Sequence, residues 1–201
     1  MDIKKILKDT AVLLVITVVS GLLLGLAYEI TAPVIAANQE EEKAASYRGV
    51  FTDAASFASR EDLLEQAAGV MADNGITNVS VTDVMEAQDA SGAVIGYALS
   101  LSTNGYGGEL VIAYCYGVDG TSMGIDILVS SESSGLGSRA SEPEFKDQFA
   151  GKAVDSFSYV RSGASAENEI NAITGATVTT EAVTNAVNAG IIFGRYCAQN
   201  G

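Results

Sequence analysis

The chain has 201 residues, with 25 acidic against 11 basic side chains, so its formal net charge is −14. This length holds one domain of ordinary size plus a short appendage, and the acidity disfavours binding to nucleic acid or to an anionic lipid surface. The chain contains no histidine, which removes the usual general base at neutral pH and disfavours a Ser-His or Cys-His hydrolase. We predict no catalytic and no metal-binding residue.

The N-terminal region predicts one membrane-spanning helix. Residues 11–28 carry no charge, and this is about the length a helix needs to cross roughly 30 Å of hydrocarbon. Three lysines precede the run and acidic residues follow it, which favours a cytoplasmic N-terminus and an extracytoplasmic main domain. The expected boundaries are a cytoplasmic segment over 1–8, a membrane helix over 9–36, a stalk over 37–60 and a domain over 61–201.

Two alternatives stay open for this segment. The basic start and the small residues near Ala37 also fit a signal peptide that is cleaved there. Gly21 and Gly25 form a GxxxG pair, which can seat another helix, although glycine is common in membrane helices generally.

The remaining sequence predicts an α+β domain in which an antiparallel meander sheet is flanked by short helices. An amphipathic helix is expected over 61–71, closed by Asn74-Gly75. Asn104-Gly105 and Asp119-Gly120 suit tight hairpin turns. Four runs rich in β-branched and aromatic residues predict consecutive strands: 79–87, 93–103, 110–118 and 122–129.

The second half of the domain alternates loops with short elements. A small-residue loop over 130–139 precedes a helix that we expect to be capped by Ser141, with Pro143 in its first turn. A short strand over 156–160 and a polar loop over 161–168 follow. Apolar residues at helical spacing, ending near Tyr196, then predict a long final helix.

The two cysteines, Cys115 and Cys197, are interpreted as packing residues. Their spacing suits neither a metal cluster nor a CxxC redox pair. A disulfide between them is possible if the domain lies outside the cytosol.

The final helix begins at a cluster of threonines around one glycine, in the stretch ITGATVTTEAV over 173–183. The amides and the dipole at a helix N-terminus favour a phosphate. Gly175 allows close approach of such a group, and the threonines offer hydroxyls. The alternative is that Thr179 or Thr180 simply caps the helix.

This cluster resembles the flavinylation motif of a known family of FMN-binding domains. The match is Thr174-Gly175-Ala176-Thr177-x-Thr179, and the family comprises the G subunits of Rnf electron-transport complexes and the C subunits of sodium-pumping NADH:quinone oxidoreductases. Three further stretches are similar to family motifs in the same order: Gly105-Tyr106-Gly107-Gly108, Ser131 to Gly137, and Glu142 to Phe149.

The resemblance implies a cofactor and a site. FMN would be attached through a phosphoester to Thr177 by a separate Mg²⁺-dependent flavin transferase that uses FAD. The remaining residues expected at the cofactor are Thr174, Gly175, Ala176, Thr179, Glu132, Gly135, Leu136, Gly137 and Tyr106.

The resemblance also implies partners. The chain would be a redox subunit, not catalytic alone, held among the other membrane subunits of an Rnf complex that couples ferredoxin:NAD oxidoreduction to ion translocation. The alternatives are a stand-alone membrane-anchored flavoprotein in extracellular electron transfer and a binding module without flavin. The family commonly has aspartate where this chain has Asn171, and proline where it has Ser134.

Overall fold

The computed structural model describes residues 3–201, which divide into two compact units, one ending at Glu42 and the other spanning Lys43–Gly201. One helix, α1 (Ile3–Val50), runs from the first unit into the opening turns of the second. Between Lys8 and Val50 it is long and apolar enough to cross a membrane, and none of its most apolar window is buried. The predicted N-terminal span is thus one long apolar helix.

The second unit is built on a five-stranded antiparallel sheet in which strands follow one another in chain order. Each of the four predicted strands is confirmed to within one residue at either end, and so is the meander topology. The strands are β1 (Ser56–Ser59), β2 (Val79–Gln88), β3 (Val94–Asn104), β4 (Glu109–Gly117) and β5 (Ser122–Ser130).

Two helices cover one face of this sheet and form the main core. They are α2 (Glu61–Asp73), which packs on β2, and α4 (Thr177–Asn200), which packs on β3 and β4. Two glycines, Gly190 and Gly194, let α4 lie directly on the rings of Tyr114 and Tyr116, which occupy the space that a Cβ would need. The N-terminus of α4 is thereby fixed at one end of the sheet.

The opposite face of the sheet is covered by the end of α1, a feature that the sequence did not predict. Tyr47 and Phe51 are buried against small side chains of the central strands, among them Ala98 and Ala113. Tyr47 also donates a hydrogen bond to Asp83 (3.2 Å). Residues 43–60, predicted as stalk, therefore belong to the compact domain, because the small residues of that face leave room for two aromatic rings.

The segment between β5 and α4 differs from expectation in two places. The helical turn α3 (Pro143–Lys146) begins with proline as predicted, but its N-cap is Glu142, and no side chain caps it. Ser141 instead ends a 3₁₀ helix over Gly137–Ser141. A short parallel pair follows, β6 (Ser158–Val160) with β7 (Glu169–Asn171), of which only β6 was predicted.

The hairpin between β3 and β4 is wider than predicted. Its ends close through a hydrogen bond from the Gly105 amide to the Gly108 carbonyl (2.8 Å), and Gly108 has the positive φ of 139°. Asn104 lies in β3 and has no positive φ. The prediction of a tight Asn104-Gly105 turn is therefore wrong, and four residues, 105–108, connect the ends of β3 and β4.

The cysteines are free thiols on opposite faces of the sheet. Cys115 packs in the cluster with Tyr47, and Cys197, which belongs to α4, packs in the core between that helix and the sheet. The interpretation as packing residues is confirmed. The sheet itself separates the two sulfurs, so a disulfide between them is incompatible with this fold.

Candidate functional site

A buried threonine, Thr180, holds the turn before α4 in place through two hydrogen bonds. The hydroxyl of Thr180 accepts a hydrogen bond from the Ile173 amide (3.0 Å) and donates one to the Ala176 carbonyl (3.0 Å). The Ala176 amide closes the turn on the Ile173 carbonyl (3.0 Å). Thr180 thus organises the turn from inside the first helical turn and is not an N-cap; the N-cap is Ala176, and it has no side-chain cap bond.

This arrangement leaves Thr177 displayed at the helix N-terminus. Thr177 is the first residue of α4 and is exposed. The structure records no hydrogen bond for its hydroxyl in the described part of the chain. The first amides of a helix have no intrahelical partner, and here no side chain caps them, so a hydroxyl-linked anion at Thr177 would meet favourable dipoles.

The loop after β5 lies against the same turn. Gly175 has φ 84°, and a Cβ there would lie 3.2 Å from Leu136 Cδ2, so the two segments are in close contact. Gly135 also has positive φ (79°), and its amide donates to the Ser138 hydroxyl (2.9 Å). Glycine at 135 and 175 lets the backbone turn sharply enough to bring Leu136 over the threonine turn.

A carboxylate connects this loop to the hairpin between β3 and β4. Glu132 accepts a hydrogen bond from the Tyr106 amide at 2.7 Å. A Cβ at Gly105 or at Gly137 would overlap the Glu132 carboxyl group, and one at Gly107 would overlap the Ser131 carbonyl. The two loops therefore fit together through the absence of side chains at these glycines.

A cavity of about 400 Å³ opens between the three segments, within the size range of ligand pockets. Its floor includes Thr179, whose hydroxyl is fully buried and has no hydrogen-bond partner. Its rim carries large apolar side chains of which about half or more of the surface is exposed, Leu136, Val178 and Tyr106. The lining residues are Tyr106, Glu132, Ser133, Leu136, Gly137, Gly175, Ala176, Thr177, Val178 and Thr179.

Eight of the ten residues expected at the cofactor line this one cavity. The two that do not are Thr174, which is exposed, and Gly135, which shapes the loop behind the cavity. Sequence reasoning missed Ser133 and Val178 as lining residues. Their place in the sequence could have identified them, because Ser133 lies between the expected Glu132 and Gly135, and Val178 follows the expected Thr177.

A second contact network holds the strand that leads into the threonine turn. The side-chain amide of Gln148 accepts from the Asn171 backbone amide (2.6 Å) and donates to the Asn171 carbonyl (3.3 Å), as a neighbouring strand would. The Asn171 side chain accepts from the Ala164 amide (3.0 Å) and donates to Gln148 (3.3 Å). Asn171, the position where the resembling family has aspartate, is thus a junction of three segments.

Ion pairs and pKa shifts lie away from the cavity. Within the described residues, the Arg60–Glu86 pair (2.6 Å) and the Lys43–Asp83 pair (3.0 Å) are the most enclosed, and a third, somewhat more exposed pair joins Lys146 to Asp126 (2.5 Å). Burial alone would raise the pKa of Asp126, but bonds from Lys146 and Ser46 hold it below its usual value. Among the described residues no cluster of three potential metal ligands occurs.

The sequence of this chain matches two family models and several known proteins. The model of the FMN-binding domain matches residues 105–192, and that of the RnfG N-terminal region matches residues 1–50. The G subunit of the Na⁺-translocating ferredoxin:NAD⁺ oxidoreductase complex of Acetobacterium woodii is 32% identical over 95% of this chain and 92% of its own length. The G subunit of the proton-translocating complex of Clostridium ljungdahlii is 28% identical over 84% and 80%.

Among solved structures, NqrC of Shewanella oneidensis superposes with a TM-score of 0.50 at 18% identity, covering 59% of each chain. That likeness concerns the fold alone. The cavity-lining loops and α4 up to residue 192 fall within the matched FMN-binding domain, and the relative from A. woodii extends over nearly the whole sequence. The chain therefore belongs to the RnfG family and contains that family's FMN-binding domain.

Proposed function

We propose that this protein is the electron-transfer G subunit of a membrane-bound complex that couples ferredoxin:NAD oxidoreduction to ion translocation, with FMN joined through its phosphate to Thr177. The relatives named above support membership of such a complex. Bound FMN supplies the electron-transfer chemistry that no side chain here offers. The protein's own part is to tether, orient and shield the cofactor.

One observation carries the covalent assignment. Thr177 presents a free, exposed hydroxyl at an uncapped helix N-terminus, on the lip of a cavity whose buried Thr179 hydroxyl lacks a partner. A phosphate at this point is stabilised by the helix amides, and the apolar rim suits a flat aromatic ring system. The residues present therefore fit FMN.

The attachment step assigns a nucleophile and a leaving group. A separate Mg²⁺-dependent flavin transferase would join the Thr177 oxygen to the FMN phosphorus of FAD. The bond to AMP breaks, AMP leaves with the electron pair, and the threonine proton is released. Thr177 has no further chemical role in turnover.

The site is open enough for this reaction. Thr177 and Val178 are exposed at the cavity mouth, so a second protein can reach the hydroxyl without unfolding the domain.

The orientation in the membrane follows from the charges beside the apolar segment, because three lysines precede it and acidic residues follow it. The N-terminus is therefore cytoplasmic and the compact domain extracytoplasmic.

Intact mass of the full chain, co-expressed with a flavin transferase, tests the covalent assignment. The wild type should gain the mass of FMN less one water, and Thr177→Ala should gain nothing. Thr177→Ser should be modified because it keeps a hydroxyl at the same place. The matched control is Thr52→Ala, which removes an exposed threonine outside the motif and the cavity and should be modified fully, whereas Thr174→Ala tests the other exposed hydroxyl of the motif.

Two outcomes contradict the proposal. If the wild type gains no mass, the FMN-binding domain of this protein carries no covalent flavin. Modification that persists in Thr177→Ala and disappears in Thr174→Ala would assign a different acceptor.

Co-purification of the detergent-solubilised chain with the other complex subunits tests the assembly. If the chain is isolated alone with flavin attached, a stand-alone flavoprotein would be favoured.

A further inference from the structure

Glu132 is the most enclosed ionisable side chain at the cavity, and the packing around it accounts for the glycines at positions 105, 107 and 137. Its carboxylate contacts the Gly105 and Gly137 positions, and its backbone follows the Ser131 carbonyl that fills the space beside Gly107. Two of these glycines lie in the β3–β4 turn and one in the loop after β5. None of the three has a positive φ, so close approach, not backbone conformation, is what requires glycine there.

The carboxylate also makes a specific bond across the two loops. The Tyr106 amide donates to Glu132 Oε1 at 2.7 Å, the short distance of a charge-assisted hydrogen bond. The start of the loop is also held beside the turn, because the Ser131 amide donates to the carbonyl of Glu109, the first residue of β4 (3.1 Å). The Tyr106 side chain itself is 76% exposed, so little packing holds it in place.

We infer that Glu132 is a positioning residue: its carboxylate locks the 105–108 turn against the loop over 131–137 and thereby sets Tyr106 as one wall of the cavity. Its role is carried by the bond to the Tyr106 amide and by the fit between the glycines. The identity of the ligand beside that wall rests on the proposed function. The lock, meaning the contact that Glu132 makes between this turn and this loop, is a property of the protein without ligand.

Hydrogen exchange of the Tyr106 amide in the full chain without flavin, in detergent, tests the lock directly. Glu132→Ala removes the acceptor, and the exchange rate should rise on the order of tenfold or more, because charge-assisted bonds of this length are among the stronger ones. Glu132→Gln retains an acceptor oxygen and should restore most of the protection. An exchange rate that is unchanged in Glu132→Ala would overturn the inference.

A double-mutant cycle tests the fit between the loops independently. Gly105→Ala should lower the melting temperature of the wild type, and much less so in the Glu132→Ala background, because the carboxyl group is its main obstacle. Gly107→Ala is the matched control in the same turn. Its obstacle is the Ser131 backbone carbonyl, so its penalty should persist in both backgrounds; equal penalties for Gly105→Ala in both backgrounds would contradict the lock.

The consequence for the cavity is read from the visible circular dichroism of flavin attached at Thr177. Glu132→Ala and Gly105→Ala should both change the band shape, and Glu132→Gln should leave it near that of the wild type. An unaltered spectrum in Glu132→Ala would show that the turn does not shape the cavity. Failure of the wild type to acquire flavin would instead refute the proposed function and leave the exchange test standing.

Discussion

Replacing Thr179 by valine should stabilise the protein without flavin, and this gain in stability should vanish or reverse in the protein that carries flavin. The Thr179 hydroxyl is buried and unpaired, and an unsatisfied buried hydroxyl costs about 1–3 kcal/mol. Valine has nearly the same shape, so Thr179→Val should raise the free energy of unfolding by about 1 kcal/mol. For a domain of this size that is roughly 2–4 °C in melting temperature.

The protein that carries flavin should behave differently, because under the proposed function a phosphate or ring group beside α4 would supply the partner that the Thr179 hydroxyl lacks. There the gain from Thr179→Val should vanish or reverse. Tyr114→Phe is the matched control, since Tyr114 Oη is also buried and unpaired but lies in the core away from the cavity. Its effect should be the same with and without flavin.

Thermal and denaturant unfolding of the full chain in detergent, with and without modification, measures both variants. A loss of stability in flavin-free Thr179→Val would refute the reasoning, since it would mean that the hydroxyl already has a partner. An identical gain in both states would show that the cofactor does not reach this residue.

Three further predictions concern the framework of the site. Gln148→Ala removes the two bonds to the Asn171 backbone; it should cost about 1–2 kcal/mol and slow flavin attachment in a mass-resolved time course, and an unchanged rate would show that the strand needs no such support. Asp126 has a depressed pKa, so its contribution to stability is complete above the unfolded value of about 3.9 and is lost as pH falls through the lower folded value. Asp126→Asn should therefore flatten the acid limb of the unfolding profile, and an unaltered slope would assign that limb to other groups. Burial raises the pKa of Cys197 to about 12 and that of Cys115 well above its usual range, so neither thiol should react with iodoacetamide until the protein unfolds; labelling of the native chain, followed by mass spectrometry, would contradict this.

The elements that sequence predicted well are those with local causes. The four predicted strands carry alternating or continuous apolar runs, and α2 ends at Asp73, just before the Asn74-Gly75 pair that was predicted to close it, where Gly75 has a positive φ (71°). The threonine turn was also identified from the sequence, because family resemblance singled out Thr177. The predicted residues of the cavity came from three separate stretches of the chain, and the structure brings eight of them together.

The elements that sequence missed depend on distant partners. Tyr47 and Phe51 stand in an otherwise polar region, and only the small residues on the outer face of the sheet make them buried. Strand β7 has three residues and gains its identity from β6 and Gln148. The Asn104-Gly105 pair is locally typical of a tight turn, but Asn104 continues β3 and the turn spans four residues, 105–108, with Glu132 and Ser131 packed against its glycines.

The sequence by itself determined the apolar helix and the meander, because hydrophobic periodicity and turn chemistry act between near neighbours, and its resemblance to a family motif singled out the candidate acceptor. Only the tertiary structure decided what surrounds that acceptor. The unpaired hydroxyl of Thr179 and the carboxylate of Glu132 between two glycines have no signature along the chain. Each depends on loops that meet only once α4 has packed on the sheet.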